Sequence, residues 1–139
     1  MKIADDKDRV LVRFEVGEKL PGALIELARQ RKWGSAVIMG LGAVKDVTLA
    51  YYDLPHHTYI NHPIDGIVEL VSLVGNLAHF NGAPVWHIHC TVADEHAQVK
   101  GGHLVSLEVA VTVECWIRGS DQQINRRLDE FSNLNLLDL

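Results

Sequence analysis

The chain is short of cysteine, with Cys90 and Cys115 only, each inside an apolar run. That spacing is neither a disulfide framework nor a CxxC metal pair, and it predicts two buried, reduced thiols. Proline is scarce as well, with four in 139 residues, and no Pro-, Gly- or Ser-rich tract divides the chain. The expectation is a single domain over residues 1–139, long enough to bury a sizeable core. No apolar run reaches the roughly 18 residues of a membrane span. The opening MKIADDKDRV has charges where a signal peptide needs an apolar stretch. A cytoplasmic protein with no membrane partner is therefore expected. Positive charge is short too: 13 Lys and Arg against 18 Asp and Glu give a net charge of −5. Phosphate neutralisation by Lys and Arg supplies much of nucleic-acid affinity, so charge disfavours nucleic acid as a partner. The clusters RQRK (Arg29–Lys32) and RR (Arg126–Arg127) read as helix ends, where cations suit the dipole. No P-loop, GxGxxG or serine nucleophile elbow occurs.

What is present is alternation. RVLVRFEV (Arg9 to Val16) is β-branched with period two and predicts a strand. Leu20, Ala23, Leu24, Leu27 and Ala28 recur at i, i+3, i+4, i+7 and i+8, one face of a helix over about residues 19–32. Pro21 suits its first turn and Gly34 lies just past its end. SAVIMGLGAV predicts a buried strand broken by Gly40 and Gly42, and KDVTLAYYD another. LPHHTYINHPIDG reads as a loop or irregular hairpin. IVELVSLVG, NLAHFNG, PVWHIHCTVA and HLVSLEVAVTVECWI predict four successive strands, with a hairpin turn at Asn81-Gly82 and a turn or bulge at Gly75-Asn76. The tail DQQINRRLDEF predicts a short C-terminal helix and NLNLLDL a last strand. The fold class is α+β on a largely antiparallel sheet, with one main helix.

The histidines carry the chemistry. On a strand His87 and His89 point the same way, about 6.6 Å apart. They can converge on one ion, with a third ligand from a neighbouring strand. If Glu95-His96 were the centre of a tight turn, His103 would oppose Ile88 and point away from both. One extra residue repairs the register and sets His103 opposite His89. A β-bulge at Gly101-Gly102, or a turn one residue longer, supplies it. In that register Val105, Leu107 and Val109 would continue the histidine side as an apolar surround. Three neutral imidazoles with an open position form the pattern of catalytic zinc, or of another divalent transition metal. The plain alternative, solvated histidines on a strand face, stays open at this stage. His56, His57 and His62 read as solvated, His79 as facing either side, and His96 as a turn tip. Glu69 interrupts an apolar run and is the candidate general acid or base. Arg13 interrupts a strand and could hold a substrate carboxylate, or equally protect an edge. Trp86, Trp116 and Phe131 are expected mainly in the core.

With those residues in view, the chain resembles the plants and prokaryotes conserved (PPC) domain family. LVRFEVGEKL, GLGAV, YYDL, VELVSLVGNLAHFNGAPVWHIHCTVAD, GGHL, TVECWI and RRLDEFSNLNLL match its segments in order over nearly the whole length. The resemblance implies a compact α+β domain, a homotrimer, and a metal ion held by histidines at the positions of His87, His89 and His103. It also implies a DNA-binding label. In plants, however, an AT-hook arm of Arg-Gly-Arg-Pro type does that work, and this sequence contains none. Three functions follow as expectations: a zinc-dependent lyase or hydrolase acting on a small molecule, a DNA-associated regulator, or a trimeric interaction module without catalysis.

Overall fold

A computed structural model describes residues 1–139. In chain order the elements are β1 (Lys2–Asp6), β2 (Arg9–Phe14), β3 (Lys19–Leu20), α1 (Gly22–Arg31), β4 (Ser35–Asp53), β5 (Thr58–Ile64), β6 (Val68–Phe80), β7 (Ala83–Ala93), β8 (Val99–Ser120), β9 (Asn125–Asp129) and β10 (Leu134–Asp138). A 3-10 turn, Leu54–His56, joins β4 to β5. The strands form one sheet of ten in the order β1-β2-β8-β4-β6-β9-β10, with β3 on β8, β5 on β4, and β7 between β6 and β8. Every ladder is antiparallel except one parallel bridge, His79 to Asn125. Because β4 pairs β6, β6 pairs β7, β7 pairs β8 and β8 pairs β4, the centre of the sheet curls back on itself.

The amphipathic helix forms as its spacing requires. Leu24, Leu27 and Ala28 are buried, and Trp86 Nε1 donates to the Leu24 carbonyl at 3.1 Å. Its bounds are narrower than expected. Lys19 and Leu20 are paired to β8, and Lys32, at φ 55°, closes the last turn in place of Gly34. Gly34 instead allows close packing, since a Cβ there would lie 2.7 Å from the backbone of Asp121–Gln123.

Three expectations are corrected. SAVIMGLGAV and KDVTLAYYD, expected as two strands, are one strand, β4, with a register shift between Gly40 and Gly42. It is not buried throughout: Val37, Met39 and Leu41 face outward. Gly75-Asn76 is no turn, because both residues lie inside β6, opposite Ile88 and His87. A Cβ on Gly75 would lie 2.5 Å from the His87 carbonyl oxygen, so the glycine permits close strand approach. The short C-terminal helix is absent, and residues 125–138 form the β9–β10 hairpin. The Asn81-Gly82 hairpin is as expected, with positive φ at both residues, 51° and 77°. Trp86 is buried, whereas Trp116 and Phe131 are exposed.

Candidate metal centre

β7 turns Trp86, Ile88, Cys90 and Val92 into the core, which leaves His87 and His89 on the outer face. β8 sets His103 opposite His89, in a ladder continued by Cys90–Gly102 and Ala93–Val99. That is the register expected from the sequence, and of the two devices considered it is the longer turn that produces it. Residues Asp94 to Gln98 separate the strands, and no shift occurs at the diglycine. Asp94 Oδ1 accepts the His96 and Gln98 N–H groups, both at 2.9 Å, and Ala97 takes φ 58°. Gly102 lets β8 fit between two strands, since a Cβ there would lie 2.9 Å from the Ala50 carbonyl oxygen. His103 also pairs with Ala50 of β4.

The three imidazoles meet. His87 Nε2 and His89 Nε2 are 3.2 Å apart, and one ligand nitrogen from each ring lies within 4.8 Å of the others. Ring centroids are separated by 5.0, 5.2 and 5.7 Å. Nitrogens on a tetrahedral zinc at about 2.0–2.1 Å would stand about 3.4 Å apart. The observed pair is close to that spacing, and His103 offers a nitrogen within 4.8 Å of both. His103 Nδ1 is buried without a hydrogen-bond partner. Burial, with His103, His89 and Arg126 adding to it, pushes His87 down to about 4. Burial and then His89 lower His103 as well. Both rings are thus neutral near pH 7, the form in which imidazole ligates. The donor set fits a divalent transition metal.

The surround differs from the apolar one expected. The register of β8 against β4 shifts around Val105–Ser106, so Leu107 and Val109 turn into the core. Tyr59 takes their place, its ring 5.0 Å from that of His103, with Tyr52 4.9 Å beyond. Tyr52 donates to the Ser132 carbonyl, tying the C-terminal hairpin to this side. Asn76 opposes His87 across the β6–β7 ladder and accepts a hydrogen bond from Arg126 Nη2.

Of the five residues singled out from the sequence, the structure brings three together. Glu69 pairs with Ala93, four residues from His89 and so about 13 Å along the strand. It is exposed there. Arg13 lies on β2 opposite Glu114, 3.5 Å from the Glu15 carboxylate. Neither is beside the imidazoles. Tyr59, Asn76 and Arg126 are beside them and carry no sequence signal as site residues, the Arg126–Arg127 pair resembling a helix end. His79 accepts no site role either, its Nε2 lying 3.1 Å from the Trp33 carbonyl oxygen. His56, His57, His62 and His96 are exposed, as expected.

Comparison with known proteins places this geometry in a family. The model of the Plants and Prokaryotes Conserved (PCC) domain matches residues 1–120, and the chain belongs to that family. A Pyrococcus horikoshii plant- and prokaryote-conserved protein is 27% identical, with a TM-score of 0.88, over 99% of this chain and 94% of its own. The metal-containing protein AF0104 of Archaeoglobus fulgidus is 27% identical, with a TM-score of 0.87, covering 99% and 96%. A protein of Ralstonia eutropha JMP134 proposed to bind DNA is also 27% identical, with a TM-score of 0.92, covering 99% and 96%. No curated protein matches. The relative proposed to bind DNA does not support the expectation, drawn from charge, that nucleic acid is disfavoured.

Proposed function

We propose that this chain is a homotrimeric PCC-domain protein in which His87, His89 and His103 hold a divalent transition metal, zinc in the first instance. The observation that carries this reading is the convergence of three imidazole donors from two strands, with no carboxylate among them and with His87 and His103 held neutral by burial. The metal-containing relative from Archaeoglobus fulgidus supports it. Three protein ligands leave a coordination position for a small molecule. When bound, such an ion supplies Lewis acidity or a water made acidic, the chemistry of a lyase or hydrolase. This chain's own residues hold the donors apart, screen one side with Tyr59, and add the charge of Arg126. Glu69 and Arg13 could serve the same centre only if a neighbouring subunit brought them to it. A cytoplasmic setting suits the two free thiols, Cys90 and Cys115.

Elemental analysis of the purified protein tests the proposal. About one metal ion per chain is expected, falling to near zero in a His87→Ala, His89→Ala variant that keeps its fold. Metal-free wild-type protein that stays empty when dialysed against zinc would refute it. No helix is long and apolar enough to cross a membrane, so a membrane role gains no support. DNA association is the second reading, favoured by the Ralstonia relative. It requires retardation of duplex DNA that weakens steeply with salt, and absence of any retardation at low salt removes it.

A further inference from the structure

The metal reading leaves one feature of the same site unexplained. Arg126 reaches the cluster from the C-terminal hairpin, beyond residue 120 where the family match ends. It is half-buried, and its Nη2 and Nη1 donate to Asn76 Oδ1 and, at 3.1 Å, to the Asn135 carbonyl. Both acceptors are neutral. A guanidinium has five N–H donors. Its Nε is buried with no partner at all. Arg126 enters no ion pair, although Arg127 beside it lies 3.5 Å from Asp138. Asn76 is the cross-strand partner of His87, and opposed residues share a face with Cβ atoms about 5 Å apart. Arg126 is therefore held next to the imidazoles, and its charge is one cause of the low proton affinity of His87.

The charges do not balance. A divalent ion on three neutral imidazoles would put two positive charges beside a third, on Arg126, and no carboxylate stands among the donors. Partly buried cations without a counter-charge are costly, and the usual solution is an anion. Planar carboxylates match the guanidinium fork.

Resting on the metal assignment, we propose that Arg126, positioned by Asn76, forms a carboxylate-binding subsite of the metal centre, so that the ligand is a small carboxylic acid. One carboxylate oxygen takes the open coordination position while the other meets the guanidinium. The C-terminal hairpin thereby becomes part of the site.

The test uses protein loaded with cobalt(II), whose visible spectrum reports the coordination sphere, and acetate as the probe. Cobalt stoichiometry is measured first, in wild type and in Arg126→Gln. Acetate is expected to shift the wild-type spectrum saturably. In Arg126→Gln its affinity should fall about tenfold to a hundredfold while cobalt content is unchanged. Arg126→Lys, which keeps the charge and loses the fork, should fall between. Acetamide, of similar shape without the charge, should bind wild type at least tenfold more weakly than acetate. Arg126→Lys carries the comparison if Arg126→Gln fails to fold: affinity for acetate equal to that of wild type would count against the fork. Equal affinity of acetate and acetamide, or of wild type and Arg126→Gln, overturns the subsite while leaving the metal centre standing. Failure of wild type to hold cobalt overturns both.

Discussion

Asp94 governs the site without touching it. Its carboxylate gathers the His96 and Gln98 N–H groups and so fixes the turn whose length sets His103 opposite His89. One residue fewer would turn the third imidazole to the opposite face. The Gln98 backbone N–H, with that of His96, holds the Asp94 carboxyl below the usual carboxylate range. A depressed carboxylate contributes stability above its unfolded value, near 3.8, and loses it as pH falls through the lower folded value. Asp94→Ala should therefore weaken zinc binding several-fold in a chelator competition and remove that acid-sensitive component from the melting curve. Asp94→Asn, which keeps an acceptor oxygen, should stay close to wild type in zinc affinity at neutral pH. Equal zinc affinity in Asp94→Ala and wild type would contradict the account. At this scale the sequence was legible where period two applies, because His87 and His89 share a face by spacing alone. It was illegible where tertiary contact decides. Nothing local tells that Arg126 reaches Asn76, fifty residues earlier, or that Tyr59 stacks near His103.

The elements show the same division. The helix and the Asn81-Gly82 hairpin were readable because amphipathic spacing and turn chemistry are local signals. From the sequence β6 divides at Gly75 and β4 reads as broken at Gly40 and Gly42, because glycine inside a strand mimics a turn. In β4 and β6 the glycines instead admit a neighbouring backbone, at Gly42 against the Thr112 carbonyl and at Gly75 against that of His87. The first strand of the C-terminal hairpin reads as a helix because RRLDEF is built of helix-compatible residues, whereas NLNLLDL reads as the strand it forms. The hairpin's apolar members give no arbitration, since Leu128, Leu136 and Leu137 all remain exposed. Gly75 provides the test. An added Cβ would meet the His87 carbonyl oxygen at 2.5 Å and the Ile88 Cα at 3.1 Å, so β6 and β7 must part there. Gly75→Ala should cost about 1–3 kcal/mol in denaturant unfolding, in the range of overpacked interiors. It should also reduce zinc affinity, because His87 moves with its strand. A turn at this position would instead tolerate alanine with little loss, and that result would undo the close-approach reading.

Across the whole molecule, one lateral row joins the site to the outer face of the sheet. Leu11 on β2 pairs with Trp116 on β8, Trp116 with Met39 on β4, Met39 with Val74 on β6, and Val74 with His89 on β7. Trp116, Met39 and Val74 are 42%, 60% and 53% exposed, and Val37, Leu41 and Val71 widen the patch. Contiguous exposed apolar surface of this kind marks an interaction face rather than the scatter of single residues normal on a monomer. A second copy of the chain is the natural cover in the trimer proposed above, since cyclic assembly buries the same face in every subunit. The row ends at His89, so assembly would seat the metal centre at the margin of the interface and narrow its access to water. Sedimentation equilibrium of the wild type should give about 46.5 kDa, three chains of 15.5 kDa each. Met39→Glu, which sets a charge in the middle of the row, should shift the equilibrium to monomer. It should leave the core intact, because Met39 points away from it. Metal should still bind that monomer, since all three donors belong to one chain. A wild type that sediments as a monomer at the same concentration would remove both the trimer and the sheltered site, and would leave the apolar row in need of another partner.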